Sequence, residues 1–141
     1  MNGIQKAMVK LGITGTSTFE NKTKIKQMIF KIKQERNDDV VIIGTGDRNG
    51  ADKYVRKYAL EFGCKYKEAN LPHTAPTLYS LMNEAFYNKP YHVKNFFLRN
   101  NTFARYIDQL LVFDDQDGED QKTARLIQAA NKHHKRVVVV K

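Results

Sequence analysis

The chain predicts an α/β fold, a three-layer Rossmann-like sandwich around a mostly parallel sheet, and three observations predict it. Short apolar β-branched runs recur, "VVII" at 40–43 and "VVVV" at 137–140, and the first has the continuous hydrophobicity of a strand buried on both faces. Between the strand-like runs lie amphipathic stretches of helical spacing, which imply right-handed β-α-β crossovers. A length of 141 residues with 41% hydrophobic content suits one globular domain with its own core.

Taken in order, "MVKLGIT" at 8–14 reads as a strand that stops at Gly15. The stretch "STFENKTKIKQMIFKIKQERN" reads as a helix, because Ile25, Met28, Ile29 and Ile32 recur at spacings of three and four with lysines between them. "DVVIIG" is the second strand. A helix from about Gly50 to Phe62 carries Ala51, Val55, Tyr58, Ala59 and Phe62 on one side and stops at Gly63, a favoured residue just past a helix end. "CKYKEA" is the third strand. Residues 70–105 read as an extended helical segment: the spacing predicts one helix between Pro76 and Pro90 and another through "VKNFFLRNNTFARYI". "DQLLVFDD" is then a strand, "DGEDQKTARLIQAANKHH" a loop and helix, and "KRVVVVK" the last strand. No repeat or domain boundary interrupts residues 1–141, which read as a single domain.

The composition excludes several classes of function. Apolar runs of four or five residues are too short to span a membrane. The N-terminus lacks an apolar core of secretory length, so a cytoplasmic setting is expected. The single cysteine, Cys64, excludes an intramolecular disulfide and reads as a small buried hydrophobe, and no Cys/His spacing calls for zinc. No metal or cofactor is expected. The net charge of +9 favours phosphate-bearing or polyanionic partners. The lysine-rich helix from Lys22 to Lys33 offers single-stranded nucleic acid a surface, although few aromatics interleave those lysines to stack on bases.

In such sheets ligands sit beyond the carboxyl ends of the strands. Four segments converge there: Gly15-Thr16-Ser17, then Gly44-Thr45-Gly46-Asp47-Arg48-Asn49-Gly50-Ala51-Asp52, then Arg99-Asn100, then Asp114 to Thr123. Strand-to-helix seams present free backbone N–H groups and the positive end of a helix dipole, which suit phosphate or carboxylate. The spacing of Gly44, Gly46 and Gly50 is neither G-x-G-x-x-G nor a P-loop, and no G-x-S-x-G or H-E-x-x-H occurs. On spacing alone the turn reads either as a phosphate cradle or as a plain tight turn.

The set "ITGTS", "IIGTGDRNGADKYVRKYALEFG", "LRNNTFARYIDQLLVF" and "KTARLIQAA" resembles the SLOG superfamily, most nearly its YspA/YpsA-related (DUF2493-like) members. The resemblance spans nearly the whole chain. It implies a nucleotide or nucleotide-derived ligand in a pocket built from the backbone of Gly15 to Ser17 and Gly44 to Gly50. Arg99 would offer its fork to a phosphate, and Thr123 would sit at a helix N-terminus facing it. It implies a sensor or sequestering role and a homo-oligomer. Similar folds include the cytokinin-activating phosphoribohydrolases, with their P-G-G-x-G-T-x-x-E signature, and the DNA-processing protein DprA. Here Lys122 replaces the Gly before the Thr and Leu126 stands in place of the Glu, which argues against that hydrolase chemistry. An enzyme cleaving an N-glycosidic or phosphate bond would need another group, with Glu119, Asp120 and His92 as candidates.

The same residues also have plainer readings. Asp52 would complement its helix dipole or meet a ligand hydroxyl. Asp47 and Arg48 would form a surface pair, and Arg99 would tie down a loop. Tyr79, Tyr87, Tyr91, Phe96 and Phe97 would be core or subunit contacts, one or two of them stacking on a base. His73 would be a surface or capping residue, and His133 and His134 would favour the dipole at a helix C-terminus.

Overall fold

The computed structural model describes residues 8–141; residues 1–7, part of the N-terminal stretch read above for a leader, lie outside the described residues. Five strands form one all-parallel sheet: β1 (Val9–Gly15), β2 (Val40–Gly44), β3 (Lys65–Glu68), β4 (Gln109–Phe113) and β5 (Arg136–Val140). Their order is β3-β2-β1-β4-β5. Parallel strands need crossovers, and helices α1 (Lys22–Arg36), α2 (Gly50–Glu61), α3 (Lys94–Tyr106) and α4 (Gln121–Lys132) supply them. The fold is the predicted Rossmann-like sandwich.

Burial follows the sequence pattern. All five residues of β2 are buried, as a strand covered on both faces must be. One face of the sheet packs against α1 and α2 through Ile13, Ile25, Ile29, Ile42, Val55 and Tyr58. The other face packs against α3 and α4 through Ile43, Phe103, Ile107, Val112, Leu126 and Ala130. Cys64 is buried, as its reading required. At the edge, β5 carries half-exposed Val138 and Val139.

The helix expected between Pro76 and Pro90 does not form. Instead Ser80 makes a parallel bridge to Glu68 at the end of β3. Glu68 N–H donates to the Tyr79 carbonyl and Leu81 N–H donates to the Glu68 carbonyl, both at 2.8 Å. The Thr77 hydroxyl donates to the buried Glu68 carboxylate at 3.0 Å, and the Ser80 hydroxyl to Asn70 Oδ1 at 2.7 Å. Pairing with the sheet edge and with Glu68 overrides local helical spacing. Only one short 3₁₀ turn, Glu84–Phe86, remains of it. Within residues 70–105, the α-helix begins at Lys94.

Candidate functional site

The strand order reverses between β1 and β4, so their following loops part at the switch point where such sheets hold ligands. Here side chains tie the two loops together. Thr16 Oγ1 donates to Asp115 Oδ1 at 2.5 Å, and Thr18 Oγ1 donates to the same oxygen at 2.7 Å. These hydrogen bonds hold the exposed Asp115 carboxyl below its usual range.

Some of the expected backbone donors are taken by the protein's own groups: Thr16 N–H donates to the Phe113 carbonyl at 2.9 Å. Ala51 N–H donates to the Thr16 carbonyl at 3.2 Å. Gly50 adopts φ +58°, and a Cβ there would lie 2.4 Å from the carbonyl oxygens of Thr16 and Ser17. Gly15 is similarly enclosed, its would-be Cβ only 2.2 Å from the Phe113 carbonyl oxygen. These glycines let three backbone segments close on one another. In the loop after β4, Asp114 accepts from Gln116 N–H at 2.7 Å and Gly118 N–H at 2.8 Å. At the start of α4, Asp120 Oδ2 accepts from Thr123 N–H at 2.9 Å and from the Thr123 hydroxyl at 2.6 Å, a side-chain N-cap. Of the candidate acid/base groups, Asp120 is therefore a cap and Glu119 is exposed. His92 Nδ1 accepts from Lys94 N–H at 3.0 Å, where α3 begins. Leu126 is fully buried in the core.

The charges at this edge converge differently from the sequence reading. Asp47 faces inward. Its Oδ2 lies 2.9 Å from Lys122 Nζ and its Oδ1 3.5 Å from Arg99 Nη1, so its partners are Lys122 and Arg99 and the expected surface pair with Arg48 is not made. Lys122 also meets Asp52, whose other oxygen accepts the Thr14 hydroxyl at 2.7 Å. Asp52 thus fastens β1, α2 and α4 together. Burial pushes the Asp47 carboxyl up, but the charges of Arg99 and Lys122 outweigh it and hold the group below its usual range. Asp52 is completely enclosed, and burial leaves it harder to ionise in spite of Lys122. Lys122 is held above the ordinary lysine range by Asp52 and Asp47, against the cost of its own burial. Two carboxylates share one lysine, and the arginine keeps the more open carboxylate charged.

Arg99 is the group left short. It is 2% exposed, and its Nε donates to Asn100 Oδ1 at 3.0 Å. Its Nη1 makes no hydrogen bond. The 3.5 Å approach of Asp47 falls well outside the 2.7–2.9 Å of a charge-assisted hydrogen bond. A buried guanidinium with an unused donor is unfavourable unless something satisfies it.

Arg99, Asn100, Asp52 and Thr123 are each buried, while Ser17 is exposed. A cavity of about 370 Å³ at the start of α2 is lined by Ser17, Phe19, Arg48, Gly50, Lys53 and Tyr54, and neither Arg99 nor Lys122 lines it. Thr45, also buried, accepts from Asp47 N–H at 3.2 Å through its hydroxyl. Gly44 and Gly46 lie beneath the same loop, packed on Tyr66 and on Asn70 with Glu68. Sequence reasoning missed two members: Asp47 as an inward group, and Lys122, read only as a lost glycine. A signal was present in the sequence, since Lys122 lies next to Thr123 in the stretch read as the start of the last helix.

No family model matches the chain, and no curated protein matches it in sequence. Solved structures do resemble it. The molybdenum cofactor carrier protein of Chlamydomonas reinhardtii superposes with a TM-score of 0.62 at 21% identity, over 94% of this chain and 76% of that one. The molybdenum cofactor binding protein of Rippkaea orientalis gives 0.66 at 13% identity, over 96% and 77%. The structural genomics target TM1055 gives 0.65 at 16% identity, over 92% and 72%. The likeness shows the fold.

Proposed function

We propose that the protein binds a small, phosphate-bearing, nucleotide-derived ligand at the carboxyl edge of its sheet, as a sensor or sequestering protein, with Arg99 as the anion anchor. One observation carries this reading: a guanidinium that is 2% exposed and keeps an unsatisfied donor, at the edge where this fold holds ligands. Arginine's planar fork suits a phosphate, which offers several acceptors where Asp47 offers one distant oxygen. At the start of α4 the N–H groups of Thr123 and Ala124 are already bonded to Asp120, and the side chains of Arg99 and Lys122 form the anion handle.

Two of the structural neighbours carry or bind a molybdenum cofactor, which supports a small-molecule ligand here as well. Among the described residues no group of three or more His, Cys, Asp and Glu side chains is arranged to hold a metal ion. The assignment to the YspA/YpsA-related branch and a homo-oligomeric state belong to the same proposal.

A thermal-shift panel of AMP, ADP-ribose, NAD, cyclic dinucleotides and a short single-stranded DNA tests it, with Arg99→Ala in parallel and circular dichroism to verify its fold. A ligand at 100 times its dissociation constant adds about 2.7 kcal/mol, on the order of a 10 °C rise for a domain of this size. The expected result is a shift with one nucleotide class that Arg99→Ala abolishes. Equal shifts in the folded variant would remove Arg99 from the site.

A further inference from the structure

Asp47 is the odd member of the site. It sits where a ligand anion would sit, against the two cations the ligand would need. We propose that Asp47 is a built-in competitor, a carboxylate that occupies the Arg99 and Lys122 anion subsite in the free protein and must leave before a phosphate can enter. The inference rests on the phosphate-binding reading and adds the residue that sets its affinity and selectivity.

The geometry supports a competitor over a permanent structural pair. Asp47 reaches Lys122 at 2.9 Å but stays 3.5 Å from Arg99, so it fills the subsite without satisfying it. Asp52, by contrast, is fully buried and receives a good hydrogen bond from Thr14 at 2.7 Å, as a fixed part would. Asp47 and Lys122 remain 27% and 28% exposed, whereas Arg99 is sealed at 2%. Asp47 sits on a loop without regular structure, and its own N–H makes only a 3.2 Å bond to Thr45 Oγ1.

Charge accounting points the same way. With both carboxyls ionised, Asp47, Asp52, Arg99 and Lys122 sum to zero, and Asp47 supplies the charge that balances Arg99 in the free protein. A phosphate dianion entering while Asp47 stays would set four negative charges against two positive ones. Like charges in a poorly hydrated site repel strongly, so Asp47 has to swing out toward water. A monocarboxylate ligand would merely replace one carboxylate by another and gain nothing. A phosphate, with more charge and more acceptors, can satisfy the Nη1 that Asp47 leaves empty. Asp47 thereby selects phosphate over simple carboxylates.

The test is isothermal titration of AMP, and separately of inorganic phosphate and acetate, into wild type, Asp47→Asn, Asp47→Glu and Arg99→Ala. If the open form makes up about one tenth of the free protein, removing the competitor tightens apparent affinity about tenfold. The expected pattern is tighter AMP and phosphate binding by Asp47→Asn, wild-type affinity in Asp47→Glu, and acetate gaining affinity only in Asp47→Asn. AMP binding to wild type that is unchanged or weakened in a folded Asp47→Asn overturns the competitor and leaves the phosphate site standing. Absence of AMP and phosphate binding in both wild type and Asp47→Asn overturns the phosphate site, and the competitor with it.

Discussion

At the scale of single residues, the neutral cluster at the sheet edge makes opposed predictions for stability and for binding. Asp47 has a lowered carboxyl pKa, so the stability it adds is present above the ordinary value of 3.8 and is lost as pH falls through the folded value. Urea unfolding of wild type and Asp47→Asn should therefore differ near pH 6, with the variant less stable, and converge as pH drops below 3.8. A gap that persists unchanged into acid would place the effect elsewhere than in the carboxylate charge. Gly50 makes a second prediction. With φ at +58° and two carbonyl oxygens 2.4 Å from any Cβ, Gly50→Ala must move backbone. It should cost about 1–3 kcal/mol in denaturant unfolding. The sequence made the glycines visible, and it could not say what they approach. Gly15 and Gly50 approach the protein's own carbonyls, and that depends on loops far apart in the chain.

At the scale of elements, α4 joins the core to the site. Its inner face buries Leu126 and Ala130 against the sheet, and its first turn presents Lys122 to Asp47 and Asp52. Leu126→Ala should lower stability by about 2–5 kcal/mol, the range for emptying a buried leucine site. Asp120→Ala, which removes the side-chain cap of the helix, should cost about 0.5–2 kcal/mol in the same unfolding assay. It should also weaken AMP binding, because Lys122 lies in the first turn that the cap secures. Unchanged affinity in Asp120→Ala would show that the position of Lys122 does not depend on the cap. All five strands and four helices were legible in the sequence, since apolar runs and helical periods are local signals. The segment from Pro76 to Pro90 was not, because its conformation is set by pairing with Glu68 at the end of β3, and helical spacing carries no sign of that pairing.

At the scale of the whole molecule, a net charge of +9 surrounds a sheet edge rich in carboxylates. Asp47, Asp52, Asp114, Asp115 and Asp120 all lie there, each engaged with a donor of the protein. The positive excess lies elsewhere, including the outward face of α1, and can steer anions over a distance without being the site. This separation predicts two salt signatures. AMP affinity at the edge should fall only modestly with salt, because Arg99, its anchor, is buried. Any binding of single-stranded DNA by α1 should fall steeply with salt and be indifferent to Arg99→Ala. Filter binding between 50 and 200 mM salt separates the two cases. Among the described residues no helix is long and apolar enough to cross a membrane.

The central claim is that a buried guanidinium awaits an anion, and its own nucleus reports on it most directly. The ¹⁵N–¹Hε resonance of Arg99, assigned by its loss in Arg99→Lys, can be followed as AMP is titrated into the labelled protein. The account predicts a saturable shift of that resonance, together with the backbone amide of Asp47 as its side chain leaves. An Arg99 signal that stays in place while AMP binds elsewhere would contradict it.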